Sequence, residues 1–243
     1  MSSRIPLVYI LSNGRSGTTL LDLLLGAQTG VWTVGEAQIL PWELLNRRTP
    51  CGCGTPFRED PFWQPVLERL SLEPKGYHIG YFRNRAQVGK VLRWPHLPDL
   101  LRGRVRKVHR AGAEEYGRRN AEFFRVIREA AEERTGTPVK WLVDASKDPY
   151  RLFWLQQSGR FDIRVIHVMK RPEAFVYSMV RPHLPGATDK VIRYAGRWVV
   201  ENVIMSYLTR TSFTPEQVHH LRYEDIAEFP EATIQTLVDW LDI

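Results

Sequence analysis

Residues 7–27 read LVYILSNGRSGTTLLDLLLGA, and their reading decides the fold. Leu7 to Leu11 is a continuous β-branched and aromatic run, the pattern of a strand buried on both faces. Ser12-Asn13-Gly14 follows as a turn, and Thr18 to Ala27 reads as a helix. The stretch is therefore a strand, a glycine loop and a helix in succession. The glycines let the backbone turn tightly and aim its N–H groups inward. The helix N-terminus adds partial positive charge, so Gly14-Arg15-Ser16-Gly17-Thr18-Thr19 predicts an anion nest, with Ser16, Thr18 and Thr19 offering hydroxyls and an N-cap.

The same alternation continues outward. Trp141-Leu142-Val143 predicts a second strand, Ile163 to Met169 a third, and Val218 to Arg222 a weaker fourth. Helical patterns follow at Pro149–Gln157, Pro172–Val180 and about Pro230–Leu241, each with proline in the first turn. Strands alternating with helices imply an α/β fold with a parallel sheet covered on both faces. Between residues 45 and 138 the pattern changes: turn-rich from Asn46 to Pro65, then basic and partly helical from Tyr81 to Arg134. This stretch predicts an insertion on the core, so that residues 1–243 form one domain.

Composition bounds the function. At roughly 100–200 residues per domain, 243 residues make one large domain or two small ones. With 43% hydrophobic and 11% aromatic residues the chain is globular. The two cysteines, Cys51 and Cys53, are too close for a long-range cross-link, which excludes a disulfide scaffold. No apolar run is long enough for a signal-peptide core or a membrane span, so a soluble cytoplasmic protein is expected. Arginine supplies 27 of the 34 basic residues behind the net charge of +7. Arginine grips phosphate, sulfate and carboxylate in a bidentate fork, which points to an anionic ligand ahead of nucleic acid.

Thr18 stands where a Walker A loop has its lysine, and only Asp144 ends a strand as a possible magnesium ligand. Both weaken a kinase reading. The run VYILSNGRSGTTLLDLLLGA resembles the 5′-phosphosulfate loop of sulfotransferases that use 3′-phosphoadenosine-5′-phosphosulfate (PAPS), closest to the bacterial and tyrosylprotein branch with its Arg-Ser-Gly-Thr-Thr core. Four further segments are similar in order and spacing: Gly35-Glu36, Ser146-Lys147-Asp148-Pro149, VMKRPEAFVYSM over Val168–Met179, and Arg222-Tyr223-Glu224-Asp225. The resemblance spans residues 5–241.

That resemblance implies a P-loop-like three-layer fold and sulfuryl transfer to a hydroxyl or amine. It implies Glu36 as general base, with Arg15 and Lys147 on the 5′-phosphate and bridging oxygen. Asn13, Gly14, Arg15, Ser16, Gly17, Thr18, Thr19 and Tyr223 would bind the nucleotide. Lys170 and Ser178 would hold its 3′-phosphate. Lys170 replaces the family's arginine and Arg171 its acid, so Arg171 is a second candidate for the fork. Asp144 and Asp148 read as structural. The donor would be PAPS, the product PAP, and no metal is expected. The acceptor could be a small molecule, carbohydrate, lipid or peptide. A kinase-like phosphotransferase and a non-catalytic PAP- or polyanion-binding protein stay open as alternatives.

Histidine is the base in other sulfotransferase branches. His167 reads as a satisfied core residue in the third strand, while His78, His96 and His109 fall in the insertion and could approach an acceptor. Cys51-Gly52-Cys53-Gly54 invites a metal reading, but no histidine lies near enough in sequence to complete a zinc set. The run Arg102–Arg119 reads as a solvated face or an acceptor-side surface for an anionic substrate. The chain stops at Ile243, where the resemblance implies a further segment closing over nucleotide or acceptor.

Overall fold

The computed structural model describes residues 4–45, 50–70, 91–181 and 188–243. Five parallel strands form one sheet in the order β2-β3-β1-β4-β5. They are β1 (Ile5–Ser12), β2 (Val31–Thr33), β3 (Trp141–Lys147), β4 (Phe161–Met169) and β5 (Val218–Arg222). The helices are α1 (Thr18–Gly26), α2 (Leu40–Leu45), α3 (Trp63–Arg69), α4 (Leu97–Leu101), α5 (Arg110–Thr135), α6 (Pro149–Gln157), α7 (Pro172–Val180), α8 (Thr188–Ser212), α9 (Tyr223–Glu228) and α10 (Pro230–Leu241). None of the described helices is long and apolar enough to cross a membrane.

β1 is central and pairs with β4 from Ile5 opposite Phe161 to Ser12 opposite Val168. Its side chains alternate between two cores, as the two-residue period of a strand requires. Leu7, Tyr9 and Leu11 join one cluster with α5, α6 and α8; Val8 and Ile10 join another with α1 and α10. Because both faces are covered, the strand is apolar throughout, and Leu7 to Leu11 are all fully buried. The result is the P-loop-like three-layer α/β arrangement.

Successive strands run from β1 to the left edge and back through β3, then across to β4 and β5 on the right. The crossovers therefore diverge between β1 and its neighbours. In open parallel sheets this divergence leaves a crevice at the carboxyl ends of the strands, where ligands bind. The segments after β1 and β3 carry Arg15 and Lys147, so topology alone brings these distant residues together. Arg15 and Lys147 both have φ of 66°, an uncommon conformation for a side-chain-bearing residue that clusters at functional sites.

In the stretch from 45 to 138, α5 packs against α6 and α3. Its middle part, 71–90 with His78, lies outside the described residues, as does His183.

Candidate active site

A cavity of about 540 Å³ opens at the divergence point, lined by the loop after β1, the end of β3, Glu36 and one face of α8. The loop forms one wall. Gly17, with φ of 71°, is the N-cap residue of α1 and offers no side-chain bond to the first turn. The expected hydroxyl cap is therefore not what starts this helix. The first-turn N–H groups, which have no intrahelical acceptors, stay available to a ligand. Ser16 is fully buried, and its hydroxyl has no hydrogen-bond partner among the described residues. A buried hydroxyl without a partner is costly unless an oxygen-rich ligand completes it.

Glu36 reaches the cavity because its loop is bound to β3. Val34 N–H donates to Val143 O at 3.0 Å, and Ala145 N–H donates to Gly35 O at 2.7 Å. Two residues on, Gln38 N–H and Nε2 donate to Ser146 Oγ and O at 3.1 and 2.9 Å. This backbone graft sets Glu36 Oε1 2.6 Å from Lys147 Nζ. The pair is 38% and 16% exposed at the side chains, half-open to the cavity. A carboxylate and an ammonium within one hydrogen bond of each other can move a proton and steady developing charge.

Behind Lys147 the structure is held by buried ion pairs. Asp148 caps α6 by accepting from Tyr150 N–H at 2.9 Å, and also accepts from Arg93 Nη2 at 2.6 Å. Tyr9, in the middle of β1, donates its hydroxyl to Asp148 O at 2.8 Å. Asp144 is fully buried and accepts from Arg151 Nε at 2.8 Å, while Arg151 also donates to Tyr116 and Asn120 at 2.6 and 2.8 Å. Both aspartates are thus bound into the scaffold. Across from Asp144, Asp22 of α1 is pushed from 3.8 up to about 7 by burial first and the Asp144 charge second, with Lys147 opposing.

The remaining expected residues divide. Gly14, Arg15, Ser16, Gly17, Thr18, Thr19, Glu36 and Lys147 line the cavity. Asn13 does not: its amide donates to Glu201 Oε2 at 2.5 Å and its carbonyl accepts from Asn202 at 2.8 Å, tying the loop to α8. Lys170 and Tyr223 stand beside the loop, outside that cavity. Lys170 Nζ donates to Arg15 O at 3.3 Å and lies 4.4 Å from the Tyr223 ring centroid. Arg171 N–H donates to Glu224 Oε1 at 3.1 Å. The Ser178 hydroxyl donates to Phe175 O of its own helix at 2.7 Å.

Sequence reasoning missed one wall altogether. Arg197 and Glu201, paired at 2.8 Å, face the cavity from α8 together with Ile204 and Met205. Arg93 and Val91 face it from the stretch before α4. The i, i+4 pair Arg197–Glu201 beside Ile204, Met205 and Leu208 was the available helical signal. His167 also departs from expectation. It is fully buried in β4, but neither ring nitrogen has a hydrogen-bond partner among the described residues. Burial, with His220 second, lowers it to about 4, so it stays neutral. His96 and His109 sit with Asp99 and do not line the cavity.

Comparisons with known proteins bear on the family and the fold. Among curated proteins nothing matches the sequence significantly. Solved structures do resemble it. A sulfotransferase domain from the Synechococcus PCC 7002 olefin synthase superposes with a TM-score of 0.55 at 20% identity, covering 100% of this chain and 76% of that one. A sulfotransferase domain from the curacin biosynthetic pathway gives 0.51 at 19%, covering 99% and 75%. A sulfotransferase from Mycobacterium tuberculosis H37Rv gives 0.51 at 14%, covering 99% and 68%. At these identities the likeness shows a shared fold. The sequence itself matches a family model described as the sulfotransferase family over residues 6–243. Because that match begins within β1 and runs through every strand and the loop beside Lys147, the chain belongs to the sulfotransferase family.

Proposed function

We propose that the protein transfers a sulfuryl group from PAPS to a hydroxyl or amine acceptor by in-line displacement. The observation that carries this reading is the Lys147–Glu36 pair, 2.6 Å apart, in one cavity with the glycine loop. The donor set fits a phosphosulfate: free first-turn N–H groups, the buried Ser16 hydroxyl and the cations Arg15 and Lys147. When bound, PAPS supplies an activated sulfur on a leaving group of low basicity.

The chain's own residues do the rest. Glu36 takes the proton from the acceptor oxygen or nitrogen as that atom bonds to sulfur. Lys147 turns from Glu36 towards the bridging oxygen as the sulfur–oxygen bond breaks, and neutralises the charge left on PAP. Arg15, in its left-handed backbone conformation, sets a second cation on the 5′-phosphate. Lys170 and Tyr223 hold the 3′-phosphate end beside the loop, joined by Arg171 and by Ser178, whose hydroxyl exchanges Phe175 O for a phosphate oxygen. No step calls for a metal. Val91, Met179, Ile204 and Met205 form an apolar side of the cavity, which favours a small acceptor with an apolar body. The stretch from 45 to 138 contributes Val91 and Arg93 here, which supports its reading as an acceptor-side insertion. A kinase-like role is disfavoured, because the carboxylate it would place on magnesium, Asp144, is bonded to Arg151.

Two measurements test this. Calorimetry should show PAP binding that is independent of magnesium and stronger than ATP binding, and weakened at least tenfold in Lys170→Ala. A preference for ATP, or a requirement for magnesium, would refute the donor. Sulfate transfer from PAPS to a panel of hydroxyl acceptors should fall about 10²–10⁴-fold in Glu36→Gln, the range for loss of a positioned base. Unchanged turnover would remove Glu36 from that role.

A further inference from the structure

The loop between α2 and α3 brings two thiols onto one buried carboxylate. A bridge pairs Pro50 with Pro56, Cys51 N–H donates to Thr55 O at 2.7 Å, and Gly54 N–H donates to Cys51 O at 2.9 Å. Gly54 has φ of 89°, which glycine alone adopts readily. This tight reversal leaves Cys51 half-buried and Cys53 exposed. Their sulfurs and a carboxylate oxygen of Asp60 all lie within 4.8 Å of one another. Cys53 Sγ is 3.0 Å from Asp60 Oδ2.

Asp60 is the unusual member. It is 7% exposed, and no lysine, arginine or histidine pairs with it among the described residues. Burial works against its charge. Hydrogen bonds from the Cys53 thiol and from the N–H groups of Phe62 and Trp63 outweigh that and hold it below the ordinary carboxylate range. Phe62 N–H donates to Oδ1 at 2.8 Å, which leaves Oδ2 turned to the thiols. The Phe62 and Trp63 rings, edge to face at 4.8 Å, fix this segment against the core. The two sulfurs and a carboxylate oxygen thus converge with no cation paired to them among the described residues.

A second cluster lacks that deficiency. Asp99 already accepts from Arg106 Nε, and from His109 Nδ1 at 2.5 Å. A metal at that place would meet a guanidinium.

We propose that Cys51, Cys53 and Asp60 bind a thiophilic divalent cation, zinc by its preference for thiolate with carboxylate in tetrahedral geometry, with water in the fourth position. Ligand bonds of about 2.0–2.3 Å put neighbouring donor atoms roughly 3.3–3.8 Å apart, so small side-chain rotations close the site. Two sulfur–metal bonds and one oxygen–metal bond form, two thiol protons pass to solvent, and nothing is oxidised or reduced. None of the three residues lines the cavity at Lys147, so the metal clamps the loop between α2 and α3 and takes no part in transfer. The sequence pattern hid this, because the third ligand is a carboxylate seven residues beyond Cys53.

The test is a Co²⁺ titration of the full chain, reduced, stripped with a chelator and kept free of oxygen. One Co²⁺ per chain should bind with thiolate-to-metal charge-transfer absorption, and Zn²⁺ should displace it. Cys53 is exposed, so Cys53→Ser leaves folding intact; it should cut that absorption about in half and weaken binding at least tenfold. Asp60→Asn should weaken binding while keeping the absorption of both thiolates. Release of two protons should raise affinity up to about 100-fold per pH unit below the thiol pKa values. His109→Ala should change nothing. Binding without charge transfer, binding unchanged in Cys53→Ser, or a reduced chain that takes up no Co²⁺ would each overturn the proposal.

Discussion

The two walls of the cavity, which the proposed function assigns to donor and acceptor, are built in opposite ways. The donor wall is one run of sequence, Ser12 to Thr19, and its shape is backbone: two left-handed residues, a helix start and free N–H groups. The acceptor wall comes from three separate segments, around Glu36, Arg93 and Glu201, with Lys147 between the two walls. Its shape is held by the bonds that graft the Glu36 loop onto β3 and by the ion pairs Arg93–Asp148 and Arg151–Asp144 at 2.6 and 2.8 Å. A wall made of backbone is sensitive to what glycine alone permits. A wall made of charged side chains is sensitive to the loss of one partner.

The largest effect should therefore come from the acceptor wall. In Arg93→Met, Asp148, with 5% side-chain exposure, loses its ion-pair partner. Removing one member of a buried pair costs about 3–5 kcal/mol. Urea denaturation should show that loss, with the slope unchanged. A cost below about 1 kcal/mol would mean that the wall is held by packing. Next in size is Lys147→Met, which removes the cation that the proposed function sets nearest the reacting atoms. Turnover should fall about 10²–10³-fold while PAP affinity changes far less, because the interaction strengthens as charge develops. Equal losses in both would make Lys147 a binding residue of the donor wall.

The same division explains what the sequence disclosed. The donor wall was legible because a buried strand, a glycine turn and a helix start are local patterns. So were α6, α7 and α10, each opened by proline, and β5. Lys147 and Glu36 were found by resemblance, and the structure supplies the reason they meet: the Val34–Val143 and Gly35–Ala145 bonds that graft one loop onto the next strand. The three-residue β2 is too short to show a period. α8 went unread because Val191, Ile192, Val199, Val200, Val203 and Ile204 are β-branched and Gly196 interrupts them, so local preference argued against a helix that packing imposes. Arg93 had no local signal; only the fold shows that it meets Asp148.

Asp22 couples the walls, since it sits on the donor helix and senses Asp144 and Lys147. Its folded value is raised from 3.8 to about 7, so the folded state binds the extra proton between those values. Stability is then full below about pH 4 and declines as pH rises through about 7. Asp22→Asn has no such proton to lose. The stability difference between variant and wild type should shift in favour of the variant by about 2 kcal/mol from pH 4 to pH 7, allowing for the rearrangement that screens a buried charge. A difference independent of pH would show that Asp22 stays ionised.

The smallest effect separates backbone from side chain within the donor wall itself. A Cβ on Gly17 would lie 2.2 and 2.3 Å from Tyr223 Cε2 and Cδ2, and its φ of 71° is unfavourable for alanine. A left-handed alanine costs roughly 1 kcal/mol, and the Tyr223 ring must swing away. That ring supports Lys170 Nζ at 4.4 Å, so a methyl on the 5′ side of the loop reaches the cation assigned to the 3′-phosphate. Gly17→Ala should weaken PAP binding about tenfold, near 1.4 kcal/mol, and lower the melting temperature by a few degrees. Gly14 supplies the control. Its Cβ would meet nothing within 4 Å and its φ is unremarkable, so Gly14→Ala should leave the melting temperature where it was. If both variants bind PAP as the wild type does, the donor wall tolerates side chains, and its difference from the acceptor wall lies only in how the chain reaches the cavity.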